Sequence, residues 1–299
     1  MRLARRLALF VVGTLASLAG AEVAARGLWP DDGSLAPGTL DARTQSCAQR
    51  HPTRGWIVAG RCGRDDRGLL TGAPTGGRRL LLVGDSVAEG EWANALARRL
   101  GVTLLNAATS GYNTCQEAVA LAELVASERP DAVLLQTCPN DHVGSAVVLP
   151  DGAWSSVAWD GGWRRVPTLA LRSRLVQIAI VARSTATQAG ELGDRVARCA
   201  RAAVAAAYGV PMAVLHFPAL VDPDETDARL VALRAEEARM REVWAPIDVA
   251  QVDGRAALAG LGPLARLTES DADRIHPRRD LGPRIGDALA GPVAEALGR

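Results

Sequence analysis

Arg78-Arg-Leu-Leu-Leu-Val-Gly-Asp-Ser-Val-Ala-Glu-Gly90 decides how this chain folds. Leu80 to Val83 is a short, continuous apolar run, the pattern of a strand buried on both faces of a parallel sheet. Gly84, Asp85 and Ser86 end it abruptly. Ala88, Trp92, Leu96 and Leu100 then recur at helical spacing, which predicts a helix over 88–100. Ser86 therefore stands where a strand hands over to a helix, at the carboxyl edge where open parallel sheets hold their ligands. A nearby helix N-terminus, with its free N–H groups and dipole, favours negative charge. That position suits a nucleophile whose attack creates an oxyanion. It equally suits a serine that only caps the helix, and this stretch does not separate the two.

Downstream, strands and helices alternate. Val102–Asn106, Asp131–Gln136, Pro211–Phe217 and Asp248–Val252 read as further strands. Gln116–Ser127, Leu169–Ala182, Glu191–Tyr208, Ala228–Trp244 and Gly282–Leu297 read as helices. This alternation predicts an α/β fold with a parallel sheet and right-handed crossovers. Residues 143–168 interrupt it with short extended runs punctuated by Asp151-Gly152 and Asp160-Gly161-Gly162, a small β-excursion after the third strand. Three of the seven tryptophans fall there: Trp154, Trp159 and Trp163. An insertion leaving from that sheet edge overhangs Ser86, so one of these rings is expected to contact substrate, the alternative being that all three hold the excursion together.

Upstream, residues 27–77 are rich in Gly, Pro, Asp and Arg and read as an irregular lead-in, with Trp56 tucked against the body. Residues 1–26 begin with Arg2, Arg5 and Arg6, continue with the uncharged run Leu7–Ala21, and reach Ala19-Gly20-Ala21, a small-residue cleavage pattern. The run is short for a membrane span, which needs roughly 20 residues, unless Val23–Ala25 extend it past Glu22. The expectation is export, as a cleaved signal or an uncleaved anchor, with the arginines on the cytoplasmic side. Residues 78–299 form the expected catalytic domain. The net charge of +1 in 299 residues gives no reason for a nucleic-acid partner. The chain has no lysine, which excludes Schiff-base chemistry. Its five cysteines lack zinc-site spacing. Cys47–Cys62 is the first expectation for a disulfide and Cys115–Cys138 the second, with Cys199 an isolated small apolar side chain in an Ala-rich helix.

Three more stretches, each after a predicted strand, could join Ser86. Gly111, in Asn106-Ala-Ala-Thr-Ser-Gly-Tyr112, can bring a backbone N–H close to a ligand or simply make a turn. Asn140, in Thr137-Cys-Pro-Asn-Asp-His142, can donate its amide to an oxyanion or make an Asx-turn. Asp273 and His276, three apart, have the spacing for a carboxylate that orients an imidazole base, although a lone loop histidine is commonly just solvated. His51, His142 and His216 are the competing bases, but none has a carboxylate three residues earlier in a matching loop.

Together, Gly84-Asp85-Ser86, Gly111, Asn140-Asp141 and Asp273-x-x-His276 resemble the four blocks of the SGNH (GDSL-type) hydrolases, over about residues 50–299. The lead-in from His51 to Gly72 is similar to that of exported, envelope-associated bacterial members. The resemblance implies a flavodoxin-like three-layer sheet of strand order 2-1-3-4-5. It implies Ser86 as nucleophile, His276 as base and Asp273 as orienting acid. It also implies an oxyanion hole of the Ser86 and Gly111 N–H groups with the Asn140 side chain. One departure stands out: Cys138 occupies the position where these proteins usually carry glycine. Asp85 is expected to be structural. The expected activity is hydrolysis of an O-acyl or lipid ester in the cell envelope, on the periplasmic or extracellular side of the membrane, with no metal and no cofactor. The partners expected are a small-molecule, lipid or carbohydrate ester and, through residues 1–26, the membrane. Two rivals remain. An O-acyltransferase would share the first half-reaction, and a non-catalytic envelope binding protein would keep only the fold.

Overall fold

Leu80, Leu81, Leu82 and Val83 are all completely buried, and they divide between two separate cores. Leu80 and Leu82 pack with Trp92, Leu96, Ile285 and Leu289, whereas Leu81 and Val83 pack with Leu121, Leu124, Ala203 and Trp244. Successive side chains on a strand point to opposite faces, so one apolar run serves two layers of helices. The computed structural model describes residues 2–28, 47–141, 146–149, 152–155, 164–166, 173–176, 194–270 and 273–298.

Along the chain, helix α1 (Arg2–Leu28) precedes an antiparallel hairpin of β1 (Ala48–His51) and β2 (Gly55–Val58). Then come β3 (Arg79–Val83), α2 (Glu91–Leu100), β4 (Thr103–Asn106), α3 (Thr114–Glu128) and β5 (Ala132–Thr137). The expected excursion is a three-stranded antiparallel ribbon of β6 (Ala146–Leu149), β7 (Gly152–Ser155) and β8 (Arg164–Val166). Helix α4 (194–206), β9 (Met212–His216), α5 (Ala228–Trp244), β10 (Ala250–Asp253) and the short α6 (Gly254–Leu258) follow. A ribbon of β11 (Thr268–Ser270) and β12 (Asp273–Pro277) leads into α7 (Gly282–Ala296).

The five central strands are all parallel, in the order β10-β9-β5-β3-β4. Numbered by appearance, this is the expected order 2-1-3-4-5, and its switch point lies between the ends of β3 and β5, where Ser86 and Asn140 emerge. Helices α2 and α7 cover one face. They meet so closely that a Cβ on Gly286 would lie 2.6 Å from the Trp92 carbonyl oxygen.

Several expectations need correction. The helix expected over 88–100 starts at Glu91. A short 3-10 turn, Val87–Glu89, comes first, and Gly90, in extended conformation, separates the two. The lead-in is not wholly irregular, because it holds the β1–β2 hairpin. Trp56 on β2 is fully buried, as expected, with its carbonyl accepting from the Tyr112 hydroxyl at 2.5 Å. Cys47 and Cys62 are bonded, but Cys115 pairs with Cys199 and Cys138 is free and buried. Cys115 lies in the first turn of α3 and Cys199 within α4, two helices on one face of the sheet. Cys138 is turned instead into the layer beneath Ser86, where it belongs to the other core.

Helix α1 includes a 19-residue stretch, Phe10–Leu28, long and apolar enough to cross a membrane and almost wholly exposed. Near its end the Glu22 carboxylate accepts from the amides of Arg174 and Leu175, at 2.8 and 3.1 Å, and from the Ser173 hydroxyl at 2.9 Å. Trp159, Trp163 and His142 lie outside the described residues, as does the side chain of Trp154.

Candidate active site

The turn after β3 is shaped by what its residues can reach. A Cβ on Gly84 would lie 3.0 Å from the Ala88 Cβ and 3.2 Å from the Gln136 Cβ, so glycine suits the close passage of the chain over β5 here. The Asp85 carboxylate accepts from the Val87 amide at 2.9 Å and holds the bend. Ser86 has right-handed helical dihedrals and makes no capping hydrogen bond, so its hydroxyl points elsewhere.

It points to His276. Ser86 Oγ lies 2.7 Å from His276 Nε2, and His276 Nδ1 lies 2.8 Å from Asp273 Oδ2. The sequence suggested a loop for these residues, but they stand on β12. Residues three apart on a regular strand face opposite sides. Here Asp273 Oδ1 accepts from the amides of Ile275 and His276, at 3.1 and 3.0 Å, and this local curl brings carboxylate and ring together. Donation from Nδ1 to the carboxylate leaves Nε2 as the acceptor for the serine proton. Burial works to raise the Asp273 carboxyl, but hydrogen bonds from the His276 ring and amide outweigh it and hold it at about 2. The hydrogen bond to Asp273 raises His276 above its ordinary value, against the opposing effect of burial.

The competing histidines are engaged elsewhere. His216 is buried between Thr137 Oγ1 and Gln251 Oε1, at 3.1 and 3.0 Å. His51, in the lead-in, lies beside Thr53 and beside Glu123 of α3.

Two loops bracket the serine. The Thr109 amide donates to the Gly84 carbonyl at 2.9 Å, and the Tyr112 amide donates back to Thr109 at 3.0 Å. Gly111 between them has φ 77°, a left-handed conformation that favours glycine. On the other side, the Cys138 thiol lies 2.6 Å from Asn140 Oδ1 and 3.2 Å from Asp85 Oδ2. Asn140 is exposed, with its oxygen against the thiol. The N–H groups of Ser86 and Gly111 and the Asn140 NH₂ make no hydrogen bond among the described residues.

Beneath the serine lies a layer of buried acids that sequence reasoning missed. Cys138 N–H donates to Asp141 Oδ2 at 2.7 Å, and the thiol also approaches Asp141 Oδ1 at 3.3 Å. Glu117 on α3 is fully buried, and neither carboxylate oxygen has a hydrogen-bond partner. Burial pushes Glu117 and Asp141 well above the ordinary carboxylate range, and neighbouring acids add to it. Burial likewise raises Asp85 and the Cys138 thiol. Asp85, Cys138 and Asp141 each offer a ligand atom within 4.8 Å of the others, the one such group among the described residues. The Val87 amide donates to Asp85 and the Cys138 amide to Asp141, which ties the cluster into the backbone. Its only sequence signal was Cys138 in place of glycine.

Comparison with known proteins gives structural likeness only. No family model matches the sequence, and no curated protein does. Among solved structures, the chain is similar to TesA at 20% identity and TM-score 0.44, covering 73% of this chain and 99% of that one. It is similar to Axe2, an acetylxylan esterase from Geobacillus stearothermophilus, at 15% identity and TM-score 0.46, covering 75% and 96%. It is also similar to LAE5, an alpha/beta hydrolase enzyme from the metagenome of Lake Arreo, at 19% identity and TM-score 0.46, covering 75% and 97%.

Beside the imidazole runs a groove of about 530 Å³, lined by Arg229, Leu230, Leu233, Ile275 and His276 among others.

Proposed function

We propose that the protein is a serine esterase of the SGNH type, acting on an O-acyl or lipid ester in the cell envelope. The observation that carries this is the continuous contact from Asp273 to His276 to Ser86, at 2.8 and 2.7 Å, flanked by three unengaged N–H donors. In this reading Ser86 Oγ bonds to the ester carbonyl carbon while its proton passes to His276 Nε2. The carbonyl electrons move to oxygen, and the N–H groups of Ser86, Gly111 and Asn140 stabilise that charge. Collapse breaks the carbon–oxygen bond to the alcohol, which leaves with the proton from His276. Water then repeats the sequence and releases the acid. The alcohol departs on the His276 side, so the groove at Leu230, Leu233 and Ile275 suits its apolar part. One of Trp154, Trp159 and Trp163 is assigned the contact with the acyl chain or sugar. Export or anchoring through residues 1–26 draws support from the apolar stretch Phe10–Leu28.

The test is a panel of 4-nitrophenyl esters of graded acyl length, given to the full chain in detergent. Ser86→Ala and His276→Ala should each lower kcat by several orders of magnitude, and the double variant should be little worse, because such residues act as a unit. Full activity in Ser86→Ala sinks the reading. Alanine at each of the three tryptophans should change KM or acyl-length preference in at least one case. Loss of stability alone in all three would make the excursion scaffold.

A further inference from the structure

Ser110, next to Gly111, is held by a residue from the nucleophile turn. Its amide donates to Glu89 Oε1 at 2.7 Å. The same oxygen accepts from Arg64 Nη2 at 2.6 Å. The Arg64 side chain is only 3% exposed, and its other terminal nitrogen donates to the Gly68 carbonyl at 2.8 Å. Arg64 belongs to the lead-in, two residues after the disulfide-bonded Cys62. Six residues further on, the Leu70 amide donates to the carbonyl of Asn106 at the end of β4. One carboxylate oxygen thus joins three segments: the turn carrying Ser86, the loop carrying Gly111, and the lead-in.

The arrangement fixes a direction. Thr109 N–H is tied to Gly84, Ser110 N–H to Glu89, and Tyr112 N–H to Thr109. Within 109–112, Gly111 alone keeps an amide with no acceptor, and the peptide planes on either side of it are pinned. A left-handed glycine has many other conformations open to it, so the pins decide where its N–H points. Among the described residues Glu89 is the only carboxylate paired with Arg64. A buried guanidinium requires such a partner, and Arg64 in turn opposes the burial that pushes the Glu89 carboxyl above its ordinary range and holds it in place.

We propose that Glu89, held by Arg64, is a positioning residue for the Gly111 N–H, and that the lead-in is thereby part of the catalytic apparatus. Its kinetic consequence rests on the esterase reading; its structural consequence does not. The experiment uses the full chain in detergent with Glu89→Ala, Glu89→Gln and Arg64→Met. Hydrogen–deuterium exchange is measured on peptides covering 107–112 and on β5. In Glu89→Ala, exchange at 107–112 should quicken by roughly tenfold or more while β5 is unchanged, as local opening requires. On the best ester, kcat should fall by about 10- to 100-fold with KM within about twofold, the size of effect a misplaced group produces. Glu89→Gln keeps an oxygen acceptor and should retain most of kcat; Arg64→Met should fall between the two. Unchanged exchange at 107–112, equal quickening throughout the protein, or an effect on KM alone overturns the proposal. If the wild-type chain turns over no ester, the esterase reading fails and the exchange measurement alone decides the positioning. If Glu89→Ala does not fold, Glu89→Gln and Arg64→Met decide by the same readouts.

Discussion

His276 must be neutral to take the Ser86 proton, yet Asp273 favours its charged form. Its pKa is raised from the ordinary 6.5, so kcat/KM should climb with pH to a midpoint above that value. Asp273→Asn should move the midpoint down while also lowering kcat, because the ring loses its orienting acceptor. A flat profile between about pH 5 and 8 excludes His276 as the base. Stability runs the other way. The raised His276 contributes stability that is present below 6.5 and lost as pH rises through its folded pKa. The depressed Asp273 contributes stability present above 3.8 and lost as pH falls toward about 2. The pair therefore holds the β12 ribbon best in mildly acid solution, where the proposed activity is expected to be least. Asn140→Ala should lower kcat by about 10²–10³ if its amide serves the oxyanion; a change confined to KM would make it a substrate contact. That these residues, whose roles remain the proposal, could meet was legible in the sequence because each lies in a stretch that follows a predicted strand and the type of each is constrained by chemistry. The contacts that aim them were not, since Cys138 against Asn140 joins a thiol and an amide with no spacing rule.

At the scale of elements, the strands of the central sheet were readable because burial on both faces writes continuous apolar runs such as Leu80–Val83 and Ala132–Leu135. The β1–β2 hairpin and the β11–β12 ribbon were not readable. Their strands are three to five residues long, and although β2 is mostly buried, β1 and β12 are half-buried or exposed and carry polar residues such as Gln49, Arg50, Asp273 and Arg274. The start of α2 was misjudged because Ala88 fits the helical period, while Gly90 breaks the backbone without breaking the pattern. Two predictions belong here. Gly286→Ala would drive a methyl to 2.6 Å from Ala95 Cβ, Leu96 N and the Trp92 carbonyl oxygen. It should destabilise the α2–α7 contact by about 1–3 kcal/mol, as overpacking does, measured by urea unfolding. Glu117 on α3 shows the opposite case, a buried acid without a partner. A carboxyl raised well above 4.5 contributes stability that is lost as pH rises, at up to about 1.4 kcal/mol per pH unit between its unfolded and folded pKa values. Glu117→Gln removes that dependence, so its thermal midpoint relative to wild type should improve steadily from pH 4.5 upward. A constant difference across pH would mean that Glu117 is not titrating in this way.

At the scale of the whole molecule, Cys115–Cys199 is the contact that local patterns could not reveal. It joins residues separated by 84 in sequence, from the first turn of α3 to the middle of α4. Sequence reasoning saw Cys199 as one more small side chain in an alanine-rich helix, because pairing depends on how two helices lie on the same sheet face. The loop that the bond closes contains β5, Asn140 and the β6–β8 ribbon. Closing a loop of that length in the unfolded chain is worth up to about 4–5 kcal/mol in the chain-entropy model, and 2–4 kcal/mol is the usual yield. Cys199→Ser should therefore lower the free energy of unfolding by about 2–4 kcal/mol, measured by urea denaturation. Adding a reductant to wild type should cost at least as much, because it opens both bonds, and adding it to Cys47→Ser/Cys199→Ser should do nothing further. Non-reducing peptide maps should show both bonds, with the Cys138 thiol unreactive until the protein unfolds, because it is 2% exposed. Such bonds persist only in an oxidising compartment. Five alkylatable thiols in protein taken directly from cells would therefore contradict both the pairing and the proposed location outside the cytoplasm.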